Sequence, residues 1–167
     1  MKTWHATHQS LALTGVGGQA LLTQPMMAFF ASRQCPGTAI RAAIDWALQQ
    51  AQARQVVISG FHAPLEQSVL TVLLQARSPV VVVLARPVDG AKLPSAWVEP
   101  MAQGRVAVVS SVATAKRLTV ERATLRNAQV AQLATNIVVA YASSGGSLAD
   151  LLAKWRHTML IEMFKKD

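Results

Sequence analysis

A single cysteine, Cys35, stands in 167 residues, so no internal disulfide can close and no thiolate zinc site can be assembled. The four histidines do not make up the deficit: His5 and His8 lie in a polar N-terminal segment, and His62 and His157 are isolated. We therefore expect no metal and no cofactor. Aromatic residues are only 5% of the chain, which leaves few platforms for base stacking. Acidic side chains are scarcer still, eight against sixteen lysines and arginines, a formal net charge of +8 that favours polyanionic partners.

Long hydrophobic runs are also missing. The apolar segments are too short to span a bilayer, and Met1-Lys2-Thr3-Trp4-His5 has no adjoining apolar region of secretory-signal length. The expectation is a cytoplasmic protein without a membrane partner. No internal repeat or low-complexity tract occurs.

What the chain does contain is short apolar strands alternating with helical patterns. Hydrophobic residues reach 51% and charged ones only 14%, as a parallel sheet covered on both faces requires. Strands are predicted at Met26 to Ala31, Gln55 to Ser59, Val80 to Ala85, Arg105 to Val109 and Ile137 to Ala142, with a last one at Thr158 to Met163. Helices are predicted at Gly37 to Ala53, Leu65 to Arg77, Leu118 to Ala134 and Leu148 to Trp155, and loop with short helix from Arg86 to Gln103. The fold class is α/β, a Rossmann-like, doubly wound, mainly parallel sheet with helices on both faces. Residues 25–167 form that domain, and residues 1–24 an extension packed on it or leading into it. Within the extension, Gly15-Val16-Gly17-Gly18-Gln19-Ala20 formally matches a dinucleotide fingerprint. Pro25 follows too closely for the long helix such a fingerprint needs, so we read a turn.

Ligands of open α/β sheets bind outside the carboxyl ends of the strands. Those ends carry Ser32-Arg33, Gly60-Phe61-His62, Arg86, Ser110-Ser111 and the run Ser143-Ser144-Gly145-Gly146-Ser147. The last is a small-residue loop opening a helix, where backbone N–H groups and the helix dipole favour an anion. Arginine adds a planar fork of donors that stays charged. The candidate phosphate-binding residues are thus Ser32, Arg33, Gly60, Phe61, His62, Arg86, Ser143, Ser144, Gly145, Gly146 and Ser147. Lys116, Arg117, Arg122 and Arg126, around the helix before the Ile137 strand, are candidate nucleic-acid contacts, with a solvated helix face as the competing reading. His62 and Glu66 are expected to border the pocket without forming a catalytic pair, because Pro64 favours a helix that starts after His62.

The combination Ala31-Ser32-Arg33, Val57-Ile58-Ser59-Gly60, Arg126-Asn127 and Ser144-Gly145-Gly146-Ser147-Leu148 resembles the Rossmann-like core of the DNA-processing protein A (DprA/Smf) family over about residues 25 to 163. Cys35-Pro36-Gly37 and Gly60-Phe61-His62-Ala63-Pro64-Leu65-Glu66 are most similar to a single-domain, DprA-like bacterial branch. The resemblance implies a SLOG-type fold, shared with LOG phosphoribohydrolases and molybdenum-cofactor-carrier-like proteins. It also implies single-stranded DNA as a partner, with Arg33 matching the arginine of the family's Gly-Ser-Arg motif and Ala31 replacing its glycine. The family's Gly-x-Asp-x-x-Ala-His is replaced by Phe61-His62-Ala63-Pro64-Leu65-Glu66. The LOG signature Pro-Gly-Gly-x-Gly-Thr-x-x-Glu is not reproduced by Gly145-Gly146-Ser147-Leu148-Ala149-Asp150, and Glu66 and Asp150 are the only acids close to the strand-end edge. The expected function is binding of a nucleotide or nucleic-acid phosphate without catalysis, with weak single-stranded DNA binding and a homodimer as candidate partnerships. A LOG-type hydrolase, or a scaffold that keeps the fold without a ligand, remains the alternative.

Overall fold

A computed structural model of the chain describes residues 2–114, 117 and 119–164. Its centre is an eight-stranded sheet. In chain order the strands are β1 Trp4–His8, β2 Leu11–Gly17, β3 Met26–Ala31, β4 Val56–Ser59, β5 Val80–Val83, β6 Val106–Ser110, β7 Asn136–Tyr141 and β8 Ile161–Met163. The helices are α1 Gly37–Gln52, α2 Pro64–Gln75, α3 Val98–Ala102, α4 Val120–Leu133 and α5 Ser147–Trp155, with short 3-10 turns at Gln19–Thr23 and Ser95–Trp97. No helix of the described residues is long and apolar enough to cross a membrane.

The spatial order is β1-β2-β6-β5-β4-β3-β7-β8. From β6 to β8 all neighbours are parallel, and only the β1–β2 hairpin joins antiparallel, β2 pairing Thr14 with Ser110 and Gly17 with Ala107. The two cores explain why the strands read as continuous apolar runs. Side chains alternate across the sheet, so Phe29, Val57, Val82 and Val108 meet α1, α2 and α3 on one face, whereas Phe30, Ile58, Val83 and Val109 meet α4, α5 and the Gln19–Thr23 turn on the other. β3 is clamped on both sides by aromatic contacts. Phe29 stacks on Trp46 of α1 and Phe30 packs on Trp155 of α5, each at 5.1 Å between ring centroids.

The glycine-rich run of the N-terminal segment departs from the predicted turn. Gly15, Val16 and Gly17 lie within β2. A Cβ at Gly15 would stand 2.4 Å from the ring of Trp4, its cross-strand partner. The glycine therefore makes room for an indole whose Nε1 donates to the carbonyl of Gly17 at 3.1 Å.

Strand order reverses once within the parallel part. β3, β4, β5 and β6 are laid down in one direction, and α4 then carries the chain back to place β7 on the other side of β3. The switch point therefore lies between the carboxyl ends of β3 and β7.

Candidate phosphate and nucleic-acid site

A crevice of about 360 Å³ opens at that switch point, lined by Ser32, Arg33 and Gln34 from the end of β3, by Ser143, Gly146 and Ser147 beyond β7, and by Asn127 of α4. Backbone bonding sets its shape. Ser32 N–H donates to the carbonyl of Tyr141 at 2.9 Å, extending the β3–β7 ladder, and Ser143 N–H donates to the Ser32 hydroxyl at 2.7 Å. Gly146 N–H then closes a turn onto the Ser143 carbonyl at 3.1 Å, with Gly145 in the left-handed region at φ 74°. α5 begins at this point, its N-cap Gly146 offering no side chain to the first-turn N–H groups. Uncapped donors and the positive end of a helix dipole are features that favour an anion.

One wall is held by a buried carboxylate. Pairing of β3 with β4 ends at Ala28 and Ile58, and Glu66, 4% exposed, reaches in to accept the N–H of Ala31 at 3.1 Å. Its other oxygen accepts from His62 and Ala63 N–H at 3.0 and 3.2 Å. Glu66 thus caps α2 and ties that helix to the end of β3. Arg126 of α4, 6% exposed, lies over Gly60, where a Cβ would come within 2.4 Å of its Nε. That nitrogen donates to Asn127 Oδ1 at 3.1 Å. Burial pushes the Glu66 carboxyl above its ordinary range, opposed by the three N–H donors and by Arg126. Burial likewise lowers Arg126, and Glu66 raises it. His62 is lowered, first by burial and then by the positive charges of Arg126 and Arg33.

Of the predicted residues, Ser32, Arg33, Ser143, Gly146 and Ser147 line the crevice together. Ser144 and Gly145 form the exposed rim of the same turn, and His62 is exposed at the end of β4. Gly60 is half-buried under Arg126. Phe61 differs from expectation: its backbone turns through φ 47° and its ring, 5% exposed, joins the core with α2, so it presents no side chain to a ligand. Arg86 is exposed beyond β5 and is not part of the crevice lining. Glu66 does not border the crevice with its side chain, because its carboxylate is consumed by backbone donors.

The expected basic track along α4 is divided. Arg117 is exposed, Arg122 half-buried and Arg126 buried, while Lys116 lies outside the described residues. Asn127 and Gln34 are crevice residues that sequence reasoning missed, although Asn127 sits beside Arg126 in the motif that carried the family resemblance. The serines at the end of β6 serve structure: the Ser110 hydroxyl accepts Val112 N–H at 3.0 Å, and the Ser111 hydroxyl donates to Gln129 Oε1 at 2.9 Å.

This architecture is shared with known structures. DNA processing protein A (DprA) from Streptococcus pneumoniae superposes with a TM-score of 0.74 at 18% identity over 93% of this chain. The chain spans 56% of that protein's length. DNA processing protein A from Helicobacter pylori, described for its unique single-stranded DNA binding mode, gives 0.74 at 17% identity, covering 96% of this chain and 79% of that one. The molybdenum cofactor binding protein of Rippkaea orientalis follows at 0.58 and 12% identity, with 86% of this chain and 78% of that one covered. At these identities the likeness establishes the fold. No curated protein sequence matches the chain. Residues 2–157, however, match the family described as DNA recombination-mediator protein A, and the chain belongs to that family.

Proposed function

We propose that the protein binds single-stranded nucleic acid by its phosphate groups at the β3–β7 crevice, without turning it over. The observation that carries this reading is the convergence of Arg33, the Ser32 hydroxyl and the uncapped first turn of α5 on one crevice at the switch point. Family membership supports it, as does the single-stranded DNA bound by the Helicobacter relative. The net charge of +8 supplies long-range attraction, and the scarcity of aromatic residues keeps the binding mainly electrostatic. Hydrolysis of the LOG kind is disfavoured because the Glu66 carboxylate is occupied by three backbone donors and Asp150 is not part of the crevice lining. The same reading places the protein in the cytoplasm and leaves a second copy of the chain as a candidate partner.

The test is the salt dependence of binding to an unstructured oligonucleotide. Log affinity falls linearly with log salt, by roughly 0.7 per phosphate contacted. Arg33→Ala flattens the slope by about one contact, and Arg117→Ala, at the exposed position ahead of α4, does the same. Affinity indifferent to salt, or no binding at low ionic strength, refutes the reading.

A further inference from the structure

A second cavity, of about 260 Å³, lies beyond the carboxyl ends of β5 and β6 against the first half of α4. Its chemistry differs from that of the phosphate crevice. Leu84, Val112 and Leu125 supply apolar walls, while Glu121, Arg122 and Gln129 supply polar groups. Nη1 of Arg122 is buried and has no hydrogen-bond partner among the described residues, a state that a guest acceptor would relieve. Gln129, 8% exposed, is fixed through its Oε1 by the Ser111 hydroxyl, so its amide nitrogen is the end left to donate. Glu121 is exposed at the rim and can only accept when ionised.

A phosphate fits this lining poorly, since Glu121 repels it and the apolar walls gain nothing from it. A planar heteroaromatic body with both acceptors and donors on its edge fits well. We propose that the cavity is a nucleobase subsite with a preference for guanine. Guanine offers O6 and N7 to a guanidinium, the commonest specific contact of arginine with a base, and its N1–H and N2–H groups suit a carboxylate. Adenine puts an amino group where guanine has O6, and thymine and cytosine offer smaller edges. The two sites adjoin across one helix: Asn127 lines the crevice, Arg126 lines the cavity, and the two side chains are joined by the 3.1 Å bond from Arg126 Nε to Asn127 Oδ1. The proposal rests on the crevice reading, because it assigns a base of the same strand to the cavity.

The experiment is fluorescence anisotropy with labelled thymine tetranucleotides in which one residue, at each position in turn, is guanine, adenine or cytosine. A guanine at one position is expected to tighten binding about fivefold or more over the others. Arg122→Gln and Arg122→Lys both abolish that preference, the second because it keeps the charge and loses the fork. Removing a buried unpaired donor leaves the unfolding midpoint of Arg122→Gln unchanged or raised, which separates loss of recognition from loss of fold. Equal affinity for all four bases, or a guanine preference that survives in both variants, overturns the base subsite and leaves the crevice reading standing. A guanine preference that depends on Arg122, with a salt slope unaffected by Arg33→Ala, supports the subsite and overturns the crevice instead. No binding of any tetranucleotide overturns both.

Discussion

Replacing Glu66 by alanine should unfold much of what holds the β3–β7 crevice in shape. The carboxylate accepts three backbone N–H groups, from Ala31, His62 and Ala63, and offsets the buried charge of Arg126. Hydrogen bonds to a charged group are worth about 1.5–3 kcal/mol each, but taking the carboxylate out of water costs several kcal/mol, so they do not simply add. Leaving three buried N–H groups unpaired, and the buried Arg126 without its longer-range counter-charge, is expected to cost about 3–5 kcal/mol. With a urea slope of about 2 kcal/mol/M the midpoint drops by about 1.5–2.5 M, a large share of a total stability of about 5–15 kcal/mol. Tryptophan fluorescence reads the transition, because Trp46 and Trp155 pack on Phe29 and Phe30 at either face of β3. A second substitution, Arg126→Met, removes the stranded cation and restores part of the loss. A deficit under about 1 kcal/mol, or a double variant no more stable than the single, refutes the view that this pair holds the wall. The pH dependence has a definite sign. Burial holds the Glu66 carboxyl above its ordinary range, so in the window above that range the folded state keeps a proton the unfolded chain has lost. Stability falls as pH rises through the window, and Glu66→Gln flattens the fall.

Two further outcomes follow from the geometry. Gly145→Val forces a branched side chain into a backbone at φ 74° with no atom of the described residues within 4 Å to clash, so about 2 kcal/mol of stability is lost by strain alone, and oligonucleotide affinity falls with the distorted loop; an unchanged urea midpoint contradicts this. His62 is held below its ordinary range by burial and by Arg126 and Arg33, so stability is lost as pH falls from the ordinary histidine range through the lowered value. A bound phosphate reverses that bias, and affinity should strengthen over the same window with proton uptake, measured by calorimetry in buffers of different ionisation enthalpy and absent in His62→Gln.

The parallel half of the sheet was legible because burial on both faces leaves an unbroken apolar signature. Met26–Ala31 is found at its predicted bounds, and Val80–Val83 falls within its predicted run. The switch-point rule then brought Ser32, Arg33 and the Ser143–Ser147 loop together without any contact being visible in the sequence. The N-terminal hairpin was not legible. Trp4-His5-Ala6-Thr7-His8 alternates only between half-buried and exposed positions, too faint a period beside the glycines that follow. Gly15 looked like a turn residue because the ring that needs its space is eleven residues away in sequence. The burial of Arg126, read from the sequence as a nucleic-acid contact or a solvated helix face, was missed for a related reason. A charge on an amphipathic helix reads as surface, and only the fold brings α4 over Gly60 and Glu66.

The reversal of strand order also constrains when the β3–β7 crevice can exist. Its two halves are separated by 111 positions, the span of the hydrogen bond from Ser143 N–H to the Ser32 hydroxyl. β3, β4, β5 and β6 can pair in the order in which they are synthesised, but β7 must return across the sheet to dock beside β3. Contacts between such distant segments close late, after the loop entropy of everything between them has been overcome. A chain that has paired only its first parallel strands leaves one side of β3 uncovered, with Phe30 lacking Trp155 and the Ala31 to Arg33 corner facing water. On the proposed reading, nucleic acid would be bound at the crevice only by molecules that have completed this last docking step, and a ligand held there would stabilise the docked β7 in the same measure.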